Sequence, residues 1–354
     1  MKSGRMRPWE VKEPVQKTLK GVLIGCGGVS AYHLHAWKHV RDAEIAAVCD
    51  RNVERAKKRA AEYGIPRYYT DAQTALEQIS PDFVDIATRP GSHFELVKTA
   101  AARKVPVLCQ KPLAETMDES RAIVRHCVES GARLMVNENF RHQAWFRRLK
   151  ELIEEGTLGQ PFHCRLHVRS RSSMDPDGFG DQGYFFDMPK FIILELGVHL
   201  LDTVRFLFGE AQSIYARTAK ISPYTAGEDF AQITVDCGGV TCMIDTSWAS
   251  FRLESEGSVA HADAVVEGTE GTAVLAPEGV LHLVRGDGKK SWPFSKDTIQ
   301  ESFTATHRHF AECLRSGQEF ETSGRDTLRT MELVFAAYES AASDRVVGIE
   351  PPAE

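Results

Sequence analysis

The chain has 354 residues, more than a single hydrophobic core usually contains, and this length predicts two domains. Its formal net charge of −6 is spread over mixed charges and argues against a nucleic-acid-binding protein. No apolar run approaches the ~18 residues that a membrane span needs. The polar stretch Met1 to Lys20 lacks the apolar segment of a secretory signal, so residues 1–19 are predicted to be a flexible N-terminal arm. The eight cysteines are scattered, which indicates core residues in a reducing cytoplasm and no metal site.

The first motif is a glycine-rich turn between an apolar strand and a helix. Val22 to Ile24 predicts the buried strand, and Ala31 to His39 predicts the helix. The turn between them consists of Gly25, Cys26, Gly27, Gly28 and Val29. Its glycines allow the backbone to approach a pyrophosphate, whose charge the N–H groups at the helix start would bind. Ser30 stands at the third glycine position, which governs helix–strand packing and should tolerate a small residue.

The next strand adds an acidic residue with a defined role in dinucleotide binding. Ile45 to Cys49 predicts a buried strand, and Asp50 at its carboxyl end is placed to accept hydrogen bonds from an adenosine ribose. A carboxylate there would also repel a 2′-phosphate, whereas the adjacent Arg51 could bind one. The order of these elements predicts NAD(H) as the cofactor and leaves NADP(H) open.

Strands and helices alternate up to about Arg141. Asn52 is predicted to cap a helix that runs to Tyr63 and ends at Gly64, and Thr70 to cap a short helix. The remaining predicted elements are strands Phe83 to Ala87, Val105 to Cys109 and Arg133 to Val136, a helix beginning at Ser92, and a helix over Asp118 to Ser130. This alternation predicts a doubly wound parallel sheet over residues 20–141. Ligands bind at the carboxyl ends of such strands, so we expect one crevice to collect Asp50, Thr88, Gln110, Lys111 and Asn137 to Asn139.

The pattern changes in the second part of the chain, residues 142–354. Phe162, Cys164, Leu166 and Val168 alternate with polar residues, as in a half-buried strand. Two more alternating runs between Gln232 and Trp248 flank a Gly238-Gly239 hairpin signal, and further strands begin near Val265, Gly268 and Gly271. The other predicted segments are a helix over Phe191 to Phe208, closing helices over Phe303 to Leu314 and Asp326 to Ala342, and a junction loop over Ser170 to Pro189. Together they predict an α/β domain with a mostly antiparallel sheet.

A lysine directly follows the fifth predicted strand, in Gln110-Lys111-Pro112. Lys111 has little freedom between the strand end and the proline, and it lies where a nicotinamide would sit. Its ammonium is suited to hydrogen-bond a substrate hydroxyl and to stabilise the alkoxide that forms as hydride leaves. The alternative is a solvated surface lysine.

A second candidate group lies on the helix near residue 200. Glu195 and His199 are four residues apart and share a helix face, with Asp202 three residues further on. A histidine beside a carboxylate suits general acid–base chemistry near neutral pH. Two alternatives remain open at this point: a hydrogen-bonded core histidine among leucines, or a metal-ligand set without a supporting His or Cys cluster.

Several motifs together resemble those of the Gfo/Idh/MocA family of oxidoreductases. They are the Gly25 to Ser30 turn, Asp85-Ile86-Ala87-Thr88 followed by His93, Gln110-Lys111-Pro112, Glu138-Asn139-Phe140-Arg141, Glu195-Leu-Gly-Val-His199-Leu-Leu-Asp202 and Phe335-Ala-Ala-Tyr338-Glu-Ser340. The resemblance implies a Rossmann domain followed by an α/β domain whose open sheet forms homodimer or homotetramer contacts. It also implies NAD(P)-dependent oxidation or reduction of a sugar, cyclitol or related polyol. In this resemblance Lys111 is the family lysine, His199 the acid–base residue and Glu195 the acidic member of the set.

Two positions depart from the family pattern. Gln110 stands where relatives usually have Glu, which removes a charge that would stabilise the protonated lysine. Glu195 stands where relatives usually have Asp, and its reach toward substrate or Lys111 is one methylene longer. Both departures bear more on the choice of substrate than on the chemistry.

The sequence therefore predicts a cytoplasmic NAD(P)-dependent dehydrogenase or reductase with Lys111, His199 and Glu195 as catalytic residues. The predicted cofactor-binding residues are Gly25, Cys26, Gly27, Gly28, Val29, Asp50, Arg51, Thr88, Arg89, His93, Gln110, Lys111 and Asn139. The predicted substrate-binding residues are Lys111, Arg141, Tyr184, Glu195, His199 and Asp202. Two other functions stay open: an NAD-dependent glycosidase that acts by transient oxidation and elimination, and a non-catalytic NAD(P)-sensing regulator.

Overall fold

The computed structural model describes residues 17–251 and 263–351. The predicted N-terminal arm falls almost entirely outside this part of the chain, because only its last three residues are described. Within the described ranges, none of the helices combines the length and the apolar character needed to cross a lipid bilayer.

The first part of the chain forms a parallel sheet with helices on both faces. Its strands are β1 (Leu19–Ile24), β2 (Ala43–Cys49), β3 (Tyr68–Tyr69), β4 (Phe83–Ile86), β5 (Val107–Gln110) and β6 (Leu134–Asn137). Its helices are α1 (Ser30–Lys38), α2 (Val53–Tyr63), α3 (Ala72–Ile79), α4 (His93–Ala101) and α5 (Met117–Ser130). The strand order β3-β2-β1-β4-β5-β6 is that of a Rossmann sheet, which confirms the predicted fold class.

Local sequence signals account for several ends of the helices that cover this sheet. The Asn52 side chain accepts the Glu54 and Arg55 N–H groups at the start of α2, and Gly64 ends the helix with a φ of 69°, as predicted. The predicted cap of the next helix is wrong by one residue. Asp71, and not Thr70, accepts the Thr74 N–H at 2.8 Å, because its carboxylate lies at the N-cap position.

The second part of the chain forms a nine-stranded sheet of order β14-β13-β12-β11-β7-β10-β9-β8-β15. The strands are β7 (Pro161–Arg169), β8 (Ser213–Ala219), β9 (Phe230–Cys237), β10 (Val240–Ser247), β11 (Asp263–Gly268), β12 (Gly271–Leu275), β13 (Val280–Arg285), β14 (Gly288–Pro293) and β15 (Val347–Gly348). The helices are α6 (Ala144–Glu154), α7 (Val198–Phe208), α8 (Thr298–Ser316) and α9 (Gly324–Ser343). All pairings are antiparallel except that of β7 with β10, which confirms the predicted mostly antiparallel sheet.

One face of this sheet is buried under helices, and the other carries exposed side chains. Cys164, Leu166 and Val168 point into the core beneath α6, α7 and α9, as their alternation predicts. Phe162, at the start of the same run, is instead 49% exposed. The predicted hairpin is present, since Gly238 and Gly239 adopt φ values of 64° and 98° between β9 and β10.

Two later segments, helix α8 and the predicted junction loop, lie against the first part of the chain. Helix α8 packs on the first sheet, where Phe310 joins a cluster with Trp37 and Phe83, although it lies within the predicted second domain. The predicted boundary between residues 141 and 142 stays a prediction. The predicted junction loop contains short 3₁₀ segments, Ser172–Met174 and Gly180–Asp187, and it passes over the glycine turn.

Candidate active site

The glycine turn has the backbone shape that its sequence predicts. Gly25 has a φ of 100°, and a Cβ atom there would lie 2.6 Å from the Ala87 carbonyl oxygen, so only glycine fits. A Cβ at Gly27 would meet nothing within 4 Å, which leaves this side of the turn open to a ligand. Helix α1 follows after Val29 without a side-chain cap and without an acidic residue in its first turn. Its N-terminal N–H groups are therefore available to an anion.

The serine at the third glycine position strengthens the turn. Ser30 is fully buried, and its hydroxyl donates to the Gly27 carbonyl at 2.6 Å. Arg59 of α2 donates to the same carbonyl at 3.1 Å and to the Ser30 Oγ at 3.0 Å. Sequence reasoning missed Arg59, because nothing in the local pattern links α2 to the turn.

Asp50 connects the turn to the site where an adenosine ribose would lie. Its Oδ2 accepts the Cys26 N–H and its Oδ1 accepts the Asn52 N–H, both at 2.8 Å. Each carboxylate oxygen keeps a second lone pair that can accept a ribose hydroxyl. Beside it, a cavity of about 320 Å³ is lined by Val53, Tyr68, Tyr69, Thr70, Asp71 and Thr74. These features fit a dinucleotide, and the neighbouring Arg51 is exposed.

Lys111 is paired with Glu195 rather than solvated. Its Nζ donates to the Glu195 carboxylate, and also to the Glu195 carbonyl oxygen at 2.8 Å. Each of the two side chains is only 10% exposed, which contradicts the alternative of a surface lysine. Glu195 lies in a π-helical turn, Ile193–Gly197, that leads into α7. An ammonium group has three N–H donors, so one remains for a ligand.

His199 is held by a carboxylate that sequence analysis did not assign. Its Nδ1 lies 2.5 Å from the Glu138 Oε1, and its ring stacks on Phe140 with centroids 4.1 Å apart. Among the described residues, the His199 Nε2 has no hydrogen-bond partner. One sequence feature could have identified Glu138 as a site residue: it directly follows β6, in the segment that is expected to face the crevice.

Burial sets the protonation of this pair. Burial, followed by the positive charge of Lys111, lowers the pKa of His199 well below its ordinary value of 6.5. Burial, followed by the charge of Asp202, raises the pKa of Glu138 well above its ordinary range. The imidazole is therefore neutral at pH 7. The sequence predicts that His199 titrates near neutral pH, whereas burial in the structure shifts this titration to lower pH.

Arg141 and Asp202 bind each other, which argues against their predicted contact with substrate. The Arg141 Nε donates to the Asp202 carboxylate at 2.7 Å, and Nη2 donates to it at 2.5 Å. The remaining bonds of Arg141 go to the Glu321 carbonyl and to Asp326, each at 3.0 Å. Thr330 donates to Asp202 as well. All three guanidinium nitrogens bond to protein acceptors, so the geometry favours a structural role.

Two predicted cofactor residues are also engaged elsewhere. His93 is fully buried, and its ring nitrogens lie 3.0 Å from the carbonyl oxygens of Thr88 and Leu113. Asn139 donates to the Ser302 hydroxyl of α8 at 2.7 Å. These contacts join segments of the crevice wall to one another.

The junction loop contributes Tyr184 to the crevice. The Arg89 guanidinium lies 4.1 Å from the Tyr184 ring centroid and so joins the end of β4 to the loop. Burial, followed by the charge of Glu195, raises the pKa of the Tyr184 hydroxyl. Thr88, also at the end of β4, packs its methyl group against Gly25. Gln110, at the end of β5, accepts the Lys111 N–H at 3.0 Å.

The comparisons with known proteins identify the family of this chain. Residues 19–138 match the model of the oxidoreductase family with an NAD-binding Rossmann fold, and residues 146–274 match the GFO/IDH/MocA C-terminal domain. The chain therefore belongs to the Gfo/Idh/MocA family. It is an NAD(P)-dependent oxidoreductase of a family whose members include sugar and polyol dehydrogenases.

Individual relatives cover nearly the whole chain. It is 41% identical to a D-apiose dehydrogenase of Rhizobium rhizogenes over 94% of this chain and 97% of that protein. It is 26% identical to a myo-inositol 2-dehydrogenase of Thermotoga maritima over 93% and 98%. A solved oxidoreductase of Agrobacterium radiobacter, in complex with NAD+, L-tartaric acid and magnesium, is 40% identical with a TM-score of 0.88 over 94% and 98%.

Proposed function

We propose that this protein is a dehydrogenase or reductase that transfers hydride between NAD(H) and a sugar, cyclitol or related polyol. The observation that carries the proposal is unused hydrogen-bonding capacity at one place. Lys111, directly after β5, keeps one N–H, and His199 of α7, bonded to Glu138 directly after β6, keeps Nε2 without a partner among the described residues. A donor and a proton acceptor together are what an alcohol needs in order to lose a proton and a hydride.

In the oxidising direction, His199 accepts the hydroxyl proton at Nε2. In its ionised form Glu138 would accept the Nδ1–H of the same ring and so stabilise the positive charge that develops on the imidazole. Lys111 donates to the reacting oxygen and stabilises its negative charge, while Glu195 holds the ammonium in place. NAD, when bound, supplies the hydride acceptor. In the reducing direction His199 returns the proton.

The chain also offers groups to orient both ligands. Asp50 and the α1 N-terminus would hold the ribose and pyrophosphate of the dinucleotide. Tyr184, whose ring packs against the Arg89 guanidinium, would close the crevice over the substrate. Thr88 and Gln110 complete the wall beside Lys111.

A substrate panel tests the proposal. Purified protein is incubated with D-apiose, myo-inositol and other sugars and cyclitols, each with NAD+ or NADP+, and NAD(P)H absorbance is followed. We expect turnover of at least one polyol, with D-apiose tested first because it is named in the relatives with 41% and 39% identity. Cleavage of a glycoside without accumulation of NADH would replace the proposal with the glycosidase alternative. Binding of NADH without turnover of any compound would favour the regulator.

We further propose a homodimer or homotetramer formed through the exposed face of the nine-stranded sheet. Arg165 and Met243 are neighbours on this face, and both are exposed. The Met243→Glu variant is expected to shift the mass measured by light scattering to that of a smaller species, and an unchanged mass would contradict this surface.

A cytoplasmic location is supported by eight free, buried cysteines and is checked by cell fractionation.

A further inference from the structure

One carbonyl group in the glycine turn, that of Gly27, accepts from three donors. The Ser30 hydroxyl lies 2.6 Å and the Ser30 main-chain nitrogen 3.3 Å from its oxygen. The third donor is the Arg59 Nη2 of α2, at 3.1 Å. Together these donors fix the direction in which the Gly27 carbonyl points.

Arg59 is itself held at each of its three guanidinium nitrogens. Besides the bond from Nη2, Nε donates to the Ser30 Oγ at 3.0 Å and Nη1 donates to the Glu62 carboxylate at 2.7 Å. The Arg59 side chain is only 13% exposed. The side chain of Lys58, the preceding residue of α2, is exposed and has no hydrogen bond or ion pair among the described residues. Arg59 and Ser30 therefore form one clamp on the Gly27 carbonyl, to which Lys58 does not belong.

The orientation of this carbonyl decides where the next N–H group points. A peptide unit is planar and trans, so the Gly27 C=O and the Gly28 N–H point in opposite directions. Because the clamp holds the carbonyl, the Gly28 N–H points away from Arg59, and it has no acceptor among the described residues. A Cβ at Gly27 would meet nothing within 4 Å, so the turn leaves room for a ligand. This N–H is therefore available to an anion at the turn.

Without the clamp, the peptide between the two glycines could rotate. Such a rotation, which interconverts type I and type II turns, gives the second residue a positive φ, and glycine adopts that conformation at little cost. The rotated peptide would present a carbonyl oxygen to a pyrophosphate in place of an N–H. Gly28 does not have a positive φ in the structure, so the observed peptide is the one that suits an anion.

We propose that Arg59 and Ser30 are positioning residues of the dinucleotide site: by holding the Gly27 carbonyl they keep the Gly28 N–H directed at the cofactor pyrophosphate. Neither side chain has to touch the cofactor, because both act through one peptide unit. This role also explains how the chain uses a serine at the third glycine position, where its hydroxyl joins the clamp. The inference rests on the binding of a dinucleotide at the turn and not on the identity of the polyol.

The test compares four variants of the full chain. Arg59→Met removes the guanidinium from the clamp, and Ser30→Ala removes the hydroxyl without a change of charge. Lys58→Met is the matched control, because it removes one positive charge from the same helix and no bond of the clamp. The fourth variant combines Arg59→Met with Gly28→Ala, since alanine disfavours the positive φ of the rotated peptide. A Cβ at Gly28 would lie 3.7 Å from the Asp181 Cβ, which is an ordinary contact.

For each protein we measure the NADH dissociation constant by fluorescence and the thermal midpoint without ligand. Neither measurement requires a substrate. Where a polyol of the panel is turned over, the KM for NAD+ and kcat are measured as well. A positioning role in cofactor binding predicts a higher KM for NAD+ with kcat close to that of the parent.

Arg59→Met is expected to raise the NADH dissociation constant by about tenfold and Ser30→Ala by about threefold, the effects of losing a charged and a neutral hydrogen-bond donor. Lys58→Met should bind NADH as tightly as the parent. The added Gly28→Ala should restore most of the affinity that Arg59→Met loses, which a merely structural role of Arg59 does not predict.

The proposal is overturned if Arg59→Met binds NADH like the parent, or if Lys58→Met loses as much affinity. It is also overturned if Ser30→Ala has no effect or Gly28→Ala restores nothing, because the charge of Arg59 and not the peptide orientation would then control binding. If Arg59→Met does not fold, the effect of Ser30→Ala on NADH binding decides. A parent protein that does not bind NADH would instead contradict the proposed function.

Discussion

Two buried pairs in this molecule are built from the same two segments, and they differ in what they leave unsatisfied. Glu138 and Arg141 follow β6 three residues apart, and His199 and Asp202 lie three residues apart on α7. In the first pair, His199 bonds Glu138 and keeps Nε2 free among the described residues. In the second, Arg141 and Asp202 bond each other, and all three guanidinium nitrogens of Arg141 donate to protein acceptors. Residue type and spacing do not distinguish the two pairs, so we propose that spare hydrogen-bonding capacity separates a reactive pair from a structural one.

The largest expected effect is at the ammonium of the reactive group. Lys111→Ala should lower kcat by about 10²–10⁴-fold, because no other donor replaces it at the reacting oxygen. The NADH dissociation constant should stay close to that of the parent, since the glycine turn and Asp50 hold the nucleotide. Lys98→Ala, on an exposed helix face, is the control. Near-parental turnover of Lys111→Ala would remove the lysine from the mechanism.

His199→Asn should produce a loss of similar or smaller size. Asn keeps hydrogen-bonding atoms but cannot take up a proton near neutral pH, so turnover should fall by about 10²–10³-fold while NADH still binds. Treatment of the parent with a chelator should leave its activity intact. Strong inhibition by the chelator would favour the metal alternative, and a fully active, less stable variant would favour a core histidine.

Asp202→Ala should show the opposite behaviour. Removing one partner of a buried ion pair leaves the Arg141 charge poorly compensated and is expected to cost about 3 kcal/mol of unfolding free energy. Below the unfolding transition, kcat should stay near that of the parent. Urea denaturation and steady-state kinetics on the same preparation measure both quantities. A large fall in kcat without a loss of stability would assign Asp202 to the substrate site.

The pH dependence should reflect the buried imidazole. Because the pKa of His199 is lowered in the folded protein, the oxidation rate should be constant around pH 7 and should fall at pH values well below 6.5. The unfolded protein takes up this proton near the ordinary pKa of 6.5, so the stability contributed by neutral His199 also decreases as pH falls through that value. The acid limb should be absent from the residual rate of His199→Asn. An acid limb centred at or above pH 6.5 would contradict the burial argument.

The smallest expected effect concerns the choice of cofactor. Asp50 should disfavour a 2′-phosphate, so NADH is expected to bind about tenfold more tightly than NADPH. The exposed Arg51 can bind a 2′-phosphate and so reduces the preference for NADH over NADPH. The Arg51→Ala variant should therefore weaken the binding of NADPH and leave that of NADH unchanged. Fluorescence titration of both cofactors measures the difference. Clearly tighter binding of NADPH would reverse the prediction.

Many local features of this protein, such as helix ends and turns, could be predicted from its sequence because they depend on neighbouring residues. The cap at Asn52, the left-handed Gly64 and the Gly238-Gly239 hairpin depend on residues within a few positions of one another. The same is true of Gly25, where the turn demands a positive φ. Strand alternation with helices then defines the Rossmann sheet, and a parallel sheet places the ends of β5 and β6 side by side. Lys111 could therefore be assigned to the crevice from its position alone.

Only the tertiary structure decided which polar groups meet. Glu138 reaches His199 across 61 residues, and Arg141 reaches Asp202 across the same separation, yet sequence analysis assigned Asp202 to the substrate and Glu138 to no role. His93 and Asn139 likewise face Leu113 and Ser302. A side chain's remaining donors and acceptors depend on partners that packing brings from distant segments. That remainder, which no local pattern encodes, is the observation on which the proposed active site rests.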